Sequence, residues 1–215
     1  KTYQEIITQL LELPYSEDYK YILKIPNREK KIKKLYQKYN ITQNTLTIGF
    51  NTGAGLKFPT KIWPKENYIS LGQKLIKKLD AQVLLFGAKA EEQLNKEIYT
   101  QIYSNLPDAL KNKIINTGTS NSILEFASLI SICNLIITSD TLGLHLAIAM
   151  ETTSLSLFGP TSSSEIDLYN TGKKITADSS CLLCYNEECS NSEFCMEKIT
   201  LNQVYDNILK LLDKR

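Results

Sequence analysis

The residues best equipped for chemistry stand in short clusters, each directly after an apolar segment. Asn51-Thr52-Gly53-Ala54-Gly55 leads into Lys57, Phe58, Lys61, Trp63 and Pro64. Glycines and small polar side chains let backbone approach a ligand closely, and Lys61 can offer a point charge to a phosphate. A tight turn is the plain alternative, and the spacing is not that of a P-loop. Trp63, the only tryptophan, is expected to anchor this loop to the next helix. A second cluster reads Asp140-Thr141-Leu142-Gly143-Leu144-His145. Asp140 or Thr141 can cap a helix whose first amides and dipole favour an anion. His145, the single histidine, follows Thr141 by one helical turn and can share its face; a packed core histidine is the alternative. Gly87-Ala88 with Glu91 forms a third cluster, suited to ribose hydroxyls or simply to helix N-terminal electrostatics. Gly159-Pro160-Thr161 and Ser162–Glu165 add hydroxyls that could complete an anion cradle.

These clusters need elements that hold them together. From residue 45 onward, short apolar runs alternate with amphipathic stretches. The pattern predicts strands at Leu46–Phe50, Gln82–Phe86, Lys113–Asn116, Asn134–Ser139 and Ser154–Phe158. Helices are predicted at Glu66–Leu79, Glu91–Tyr103, Ser122–Ile132, Thr141–Met150 and Leu201–Leu212. Such alternation demands an α/β fold: a Rossmann-like parallel sheet with helices on both faces. Strands as apolar as Val83–Phe86 fit a sheet covered on both sides. In open parallel sheets ligands bind beyond the carboxyl ends of the strands, which is where all four clusters fall.

Residues 1–44 differ in character. Thr2–Leu13 has a helical apolar pattern, and Arg28–Tyr39 is a lysine-rich helix with Ile32, Leu35, Tyr36 and Tyr39 at helical spacing. Its charged face is a solvated surface or a site of weak attraction to an anionic membrane. The chain opens on Lys1 without a signal peptide pattern, so it is expected to begin partway through a longer protein. Among its 215 residues, 25 are basic and 23 acidic, a balance that argues against a general nucleic-acid binder. No apolar run approaches the roughly 20 residues of a membrane helix. Only Arg28 and Arg215 are arginines, so anion binding must use lysine, amides and hydroxyls.

Read in order, these clusters resemble glycosyltransferase family nine, the bacterial heptosyltransferases of lipopolysaccharide core assembly. The matching stretches are N-T-G-A-G…K-x-W-P at 51–64, G-A-x-x-E at 87–91, S-x-L-E at 122–125, D-T-x-x-x-H-x-A at 140–147 and F-G-P-T at 158–161. The resemblance implies one half of a GT-B fold, the C-terminal half that binds a nucleotide-sugar donor of the ADP-heptose type. Residues 1–44 would be the end of the N-terminal half and its linker, and 45–215 the donor domain. It further implies that Thr52 and Lys61 meet the donor phosphates, Glu91 the ribose, Asp140 the sugar or phosphates, and Thr141 and Gly143 the diphosphate. His145, with Lys61, would support leaving-group charge. No cofactor or metal ion is implied; the acceptor would be lipopolysaccharide core, met by the full-length enzyme. The setting would be the cytoplasm, with peripheral contact to the inner membrane left open. The family's D-[ST]-G-x-x-H departs here, with Leu142 at the third position and glycine shifted to Gly143. The family's catalytic base lies early in the N-terminal half, so this chain alone should bind donor and scarcely transfer sugar. The alternatives are a non-catalytic nucleotide-binding module, and a protein-interaction domain organised by a cysteine loop.

That loop holds Cys181, Cys184, Cys189 and Cys195, while Cys133 stands apart at a predicted helix end. Four thiols so close could hold a structural zinc, pair as disulfides or remain free.

Overall fold

The computed structural model describes residues 1–16 and 21–213; leader positions 17–20 and the terminal Lys214 and Arg215 lie outside the described residues. In chain order the elements are α1 (Tyr3–Leu10), α2 (Arg28–Tyr39), β1 (Thr47–Asn51), α3 (Lys65–Leu79), β2 (Gln82–Phe86), α4 (Glu92–Ser104) and β3 (Ile114–Asn116). There follow α5 (Ile123–Ile130), β4 (Leu135–Ser139), α6 (Leu142–Ala149), β5 (Thr153–Phe158), β6 (Gly172–Thr176) and α7 (Leu201–Leu212). The six strands form one parallel sheet in the order β3-β2-β1-β4-β5-β6. This is the doubly wound order, whose switch point lies between β1 and β4.

Side-chain alternation divides the sheet between two apolar layers. Val83 and Leu85 of β2 and Leu135 and Ile137 of β4 face the layer built by α3, α4 and α7. Leu84, Phe86 and Ile136 face the opposite layer, built by α2, α5 and α6. Two buried faces explain why these strands read as continuous apolar runs. The lysine-rich helix is part of this packing: Leu35 of α2, flanked by Ile25 and Ile41, lies in the second layer. The sequence pattern did not reveal β6. It carries Lys173 and Lys174 at the sheet edge, where charged side chains are favoured over apolar runs.

Local signals set the helix ends. The Ser122–Glu125 pair is a capping box: Glu125 N–H donates to Ser122 Oγ at 3.2 Å and Ser122 N–H to Glu125 Oε2 at 3.0 Å. Thr200 and Gln203 start α7 in the same way. Trp63 is fully buried, lies edge-on to Tyr68 at 5.0 Å, and donates its indole N–H to the Ile199 carbonyl at 2.8 Å. It ties the loop after β1 to the segment that launches α7. Trp63→Ala should cost about 3–5 kcal/mol and lower Tm by roughly 6–20 °C. Thermal unfolding of the variant checks this, and an unchanged Tm would show that the anchor contributes nothing.

Candidate functional site

The carboxyl ends of the strands open onto a cavity of about 510 Å³, within the range of small-molecule sites. Its wall is drawn from every cluster that follows β1, β2 and β4, together with the start of α5. Asn51 closes β1 and ties together the two sides of the switch point. Its amide donates to Thr138 Oγ1 at 2.9 Å and to Thr141 Oγ1 at 2.8 Å. The first turn of α6 is thereby fixed against β1, while no side chain caps the helix N-terminus. Thr141, Leu142 and Gly143 face the cavity from that turn.

Gly143 is required by packing. A Cβ there would lie 2.6 Å from Asn51 Nδ2 and 3.3 Å from Thr138 Oγ1. At Leu142, by contrast, the side chain stands 53% exposed on the cavity wall. The shifted glycine thus falls where the first turn of α6 meets the Asn51 amide, and the leucine adds an apolar surface to the mouth of the site.

Lys61 reaches across from the loop after β1. Its ammonium lies 3.0 Å from Asp140 Oδ2 and 3.2 Å from the Asp140 carbonyl. Both side chains are largely buried, at 13% and 16% exposure, so the pair is less screened than a surface ion pair. Phe58 lies under the same ammonium at 4.8 Å, a cation–π contact that fixes its position further. Ser139 donates from its hydroxyl to the Lys61 carbonyl at 2.6 Å, so the backbone is held as well.

Glu91 is 5% exposed, and its carboxylate joins two loops. Oε1 accepts from Gly55 N–H at 3.0 Å and Oε2 from Ala88 N–H at 2.8 Å. Gly53 makes room for it, since a Cβ there would sit 1.9 Å from Glu91 Cγ. The carboxylate still borders the cavity, but much of its hydrogen-bonding capacity is spent inside the protein.

The remaining expected residues lie off the cavity wall. Thr52 is buried, its hydroxyl 2.5 Å from Asn95 Oδ1 and 3.3 Å from the Phe86 carbonyl. It supports the loop from behind. His145 turns toward Tyr21 of the leader, with ring centroids 6.0 Å apart and Nδ1 3.5 Å from the phenol oxygen. Burial holds its pKa below the usual 6.5, against the opposing pull of Asp140, while Lys61 adds to the lowering. The structure therefore brings Lys61, Asp140, Thr141, Gly143 and Glu91 to one cavity, and leaves Thr52 and His145 in the layer behind it. Sequence reasoning missed Asn51 as the lock, and Phe58, Asn121, Ile123 and Phe126 as wall residues. An amide directly after a predicted strand is the sequence signal that could have found Asn51.

Ser162, Ser164 and Glu165 form a separate hydroxyl-rich loop. Tyr185 donates to Glu165 Oε1 at 2.7 Å, and the Ser162 and Ser164 hydroxyls are 2.7 Å apart. Behind it, the Lys174 ammonium donates to the Ser163 and Ile166 carbonyls. This loop does not line the cavity described above. The cysteines are free thiols, and the Cys195 thiol is pushed up, first by burial and then by its neighbours Cys181 and Cys184. Among the described residues, no group of three or more His, Cys, Asp or Glu side chains is placed to hold a metal ion. No helix among them is long and apolar enough to cross a membrane.

Gly53→Ala and Glu91→Ala disturb one contact, so their unfolding free energies should fail to add by about 0.5–3 kcal/mol in a double-mutant cycle. Additivity would separate the two residues. His145, as the only histidine, can be titrated by NMR without assignment; its midpoint should fall below 6.5. Because the folded pKa is depressed, its stabilising contribution is present above about pH 6.5 and is lost as pH falls toward the folded value. A midpoint at or above 6.5 would contradict the buried placement.

The chain is similar to known proteins. The model for glycosyltransferase family 9 (heptosyltransferase) matches residues 1–194. A lipooligosaccharide heptosyltransferase 2 of Haemophilus influenzae is 34% identical over 115 residues, covering 54% of this chain and 32% of that protein. A Campylobacter jejuni protein of the same name is 27% identical over 168 residues, covering 76% of this chain and 51% of its own length. The solved structure of E. coli ADP-heptose lps heptosyltransferase II superposes with a TM-score of 0.70 at 24% identity, over 86% of this chain and 52% of that one. This chain thus spans between about a third and a half of the length of these relatives. With a family match over residues 1–194, the chain belongs to glycosyltransferase family 9, the heptosyltransferase family.

Proposed function

We infer that this chain is the donor-binding half of a lipopolysaccharide heptosyltransferase, taking an ADP-heptose-type nucleotide sugar in the cavity at the strand ends. The observation that carries the reading is the partly buried Lys61–Asp140 pair beside the uncapped first turn of α6. A diphosphate there meets two fixed positive elements, the ammonium and the helix N-terminus. Asp140 repels phosphate, so its free lone pairs suit sugar hydroxyls, while Lys61 bridges carboxylate and phosphate. Glu91 keeps the glycine loop open for the nucleoside and offers its remaining lone pairs to ribose.

Breaking the sugar–phosphate bond builds negative charge on the departing diphosphate. Donors already aimed at that position lower the barrier because they need no reorganisation. Lys61 carries this load, and His145, kept neutral by burial, supports the first turn of α6 from one turn behind. The reaction is inverting displacement at the anomeric carbon. The base that takes the acceptor proton comes from the other half of the enzyme, to which residues 1–44 lead. The acceptor is lipopolysaccharide core, and the setting is the cytoplasm.

ADP should raise Tm of this chain more than UDP or GDP, because a ligand that prefers the native state stabilises it by mass action. In the full-length enzyme Lys61→Ala should lower turnover by about a hundredfold or more, and His145→Ala by less. No stabilisation by any nucleotide would favour a protein-interaction domain. Unchanged donor affinity and turnover in both variants would overturn the site.

A further inference from the structure

The donor site leaves one strongly charged surface unused. Between residues 24 and 38 the chain carries Lys24, Arg28, Lys30, Lys31, Lys33, Lys34 and Lys38 against the single Glu29, while the rest of the chain is acidic on balance. The structure sorts these charges. Helix α2 turns Leu35 into the core and half-buries Ile32, Tyr36 and Tyr39. Lys30, Lys33, Lys34 and Lys38 are exposed, and helical spacing places them in one outward stripe. Among the described residues, Lys30, Lys33 and Lys34 make no ion pair closer than 4.0 Å. Just ahead of the helix, Ile22 is 81% exposed.

We propose that this outward face of α2 docks the protein on an anionic lipid bilayer. The chemistry of the stripe selects that partner. A row of compact, mobile ammonium groups responds to the diffuse field of an acidic leaflet, which needs no fixed geometry from either side. Specific phosphate recognition in nucleic acids favours arginine forks and exposed aromatic platforms; here Arg28 stands alone at the helix start, and the tyrosines turn toward the core. Protein interfaces are depleted in lysine.

The surface also continues into the site. The Tyr39 hydroxyl donates to Asn121 Oδ1 at 3.0 Å. Asn121 and Thr119 line both the donor cavity and the adjoining cleft, which Lys38 and Tyr39 border. A bilayer lying on α2 would therefore sit near one rim of the cavity, where a lipid-borne acceptor has the shortest path. The docking itself does not depend on the transferase reading, since it requires neither donor nor turnover.

Vesicle flotation tests it. The chain should float with vesicles of phosphatidylcholine containing phosphatidylglycerol at low salt, but not with phosphatidylcholine alone, and high salt should release it. Lys30→Gln/Lys33→Gln/Lys34→Gln should weaken partitioning on the order of a hundredfold while leaving the ADP-induced Tm rise unchanged. Lys77→Gln/Lys78→Gln/Lys210→Gln removes the same charge from α3 and α7 on the opposite face of the sheet, and should retain binding. Circular dichroism shows whether each variant is folded. Absence of flotation at low salt, equal binding to neutral vesicles, or equal loss in both triple variants would overturn the proposal. So would preferential capture by a mixed-sequence RNA duplex.

Discussion

All six strands run in one direction, and this single constraint governs the molecule. A parallel strand cannot return through a hairpin, so every connection must cross a face of the sheet. Every strand-to-helix turn then opens at the same edge. Between β1 and β4 the helices depart to opposite faces, and the turns separate into a crevice. Clusters that are about 90 residues apart in sequence, Asn51 and Thr141, meet there at 2.8 Å.

The site inherits its precision from side chains that tie its loops and helices together. Asn51 binds the start of α6 to the end of β1, Glu91 binds the glycine loop to the turn after β2, and Trp63 fixes the far end of that loop. Each is a polar group satisfied inside a largely apolar environment, where an unmet partner would be costly. Glycine appears where these ties need space: Gly53 beside Glu91 and Gly143 beside Asn51. The Lys61–Asp140 pair rests on this frame, held in place by Phe58 and Ser139.

Much of this was legible in sequence because period and punctuation are local. Apolar runs bounded by Gly87, Gly118 and Gly159 located strands, and Ser122 with Glu125 marked a helix start. The sheet, the strand-end clusters and the family followed from their order. What escaped depended on side-chain direction or distant partners. Thr52 belongs to a ligand-facing loop by sequence, yet its hydroxyl turns inward to Asn95. His145 keeps helical register with Thr141, yet its ring is claimed by Tyr21, 124 positions away. Strand β6 escaped because an edge strand bearing lysines lacks the apolar signature of its neighbours. The leader's contribution to the second layer escaped because a helix dominated by lysine shows few of its apolar contacts.

The proposed lodging of a diphosphate between Lys61 and the first turn of α6 is tested most directly by amide NMR of the chain during titration with ADP. The largest shifts are expected at the backbone amides of Gly53, Gly55, Leu142 and Gly143, with adenosine alone leaving the α6 pair unmoved. Shifts confined to another surface, or identical responses to ADP and adenosine at Leu142 and Gly143, would contradict it.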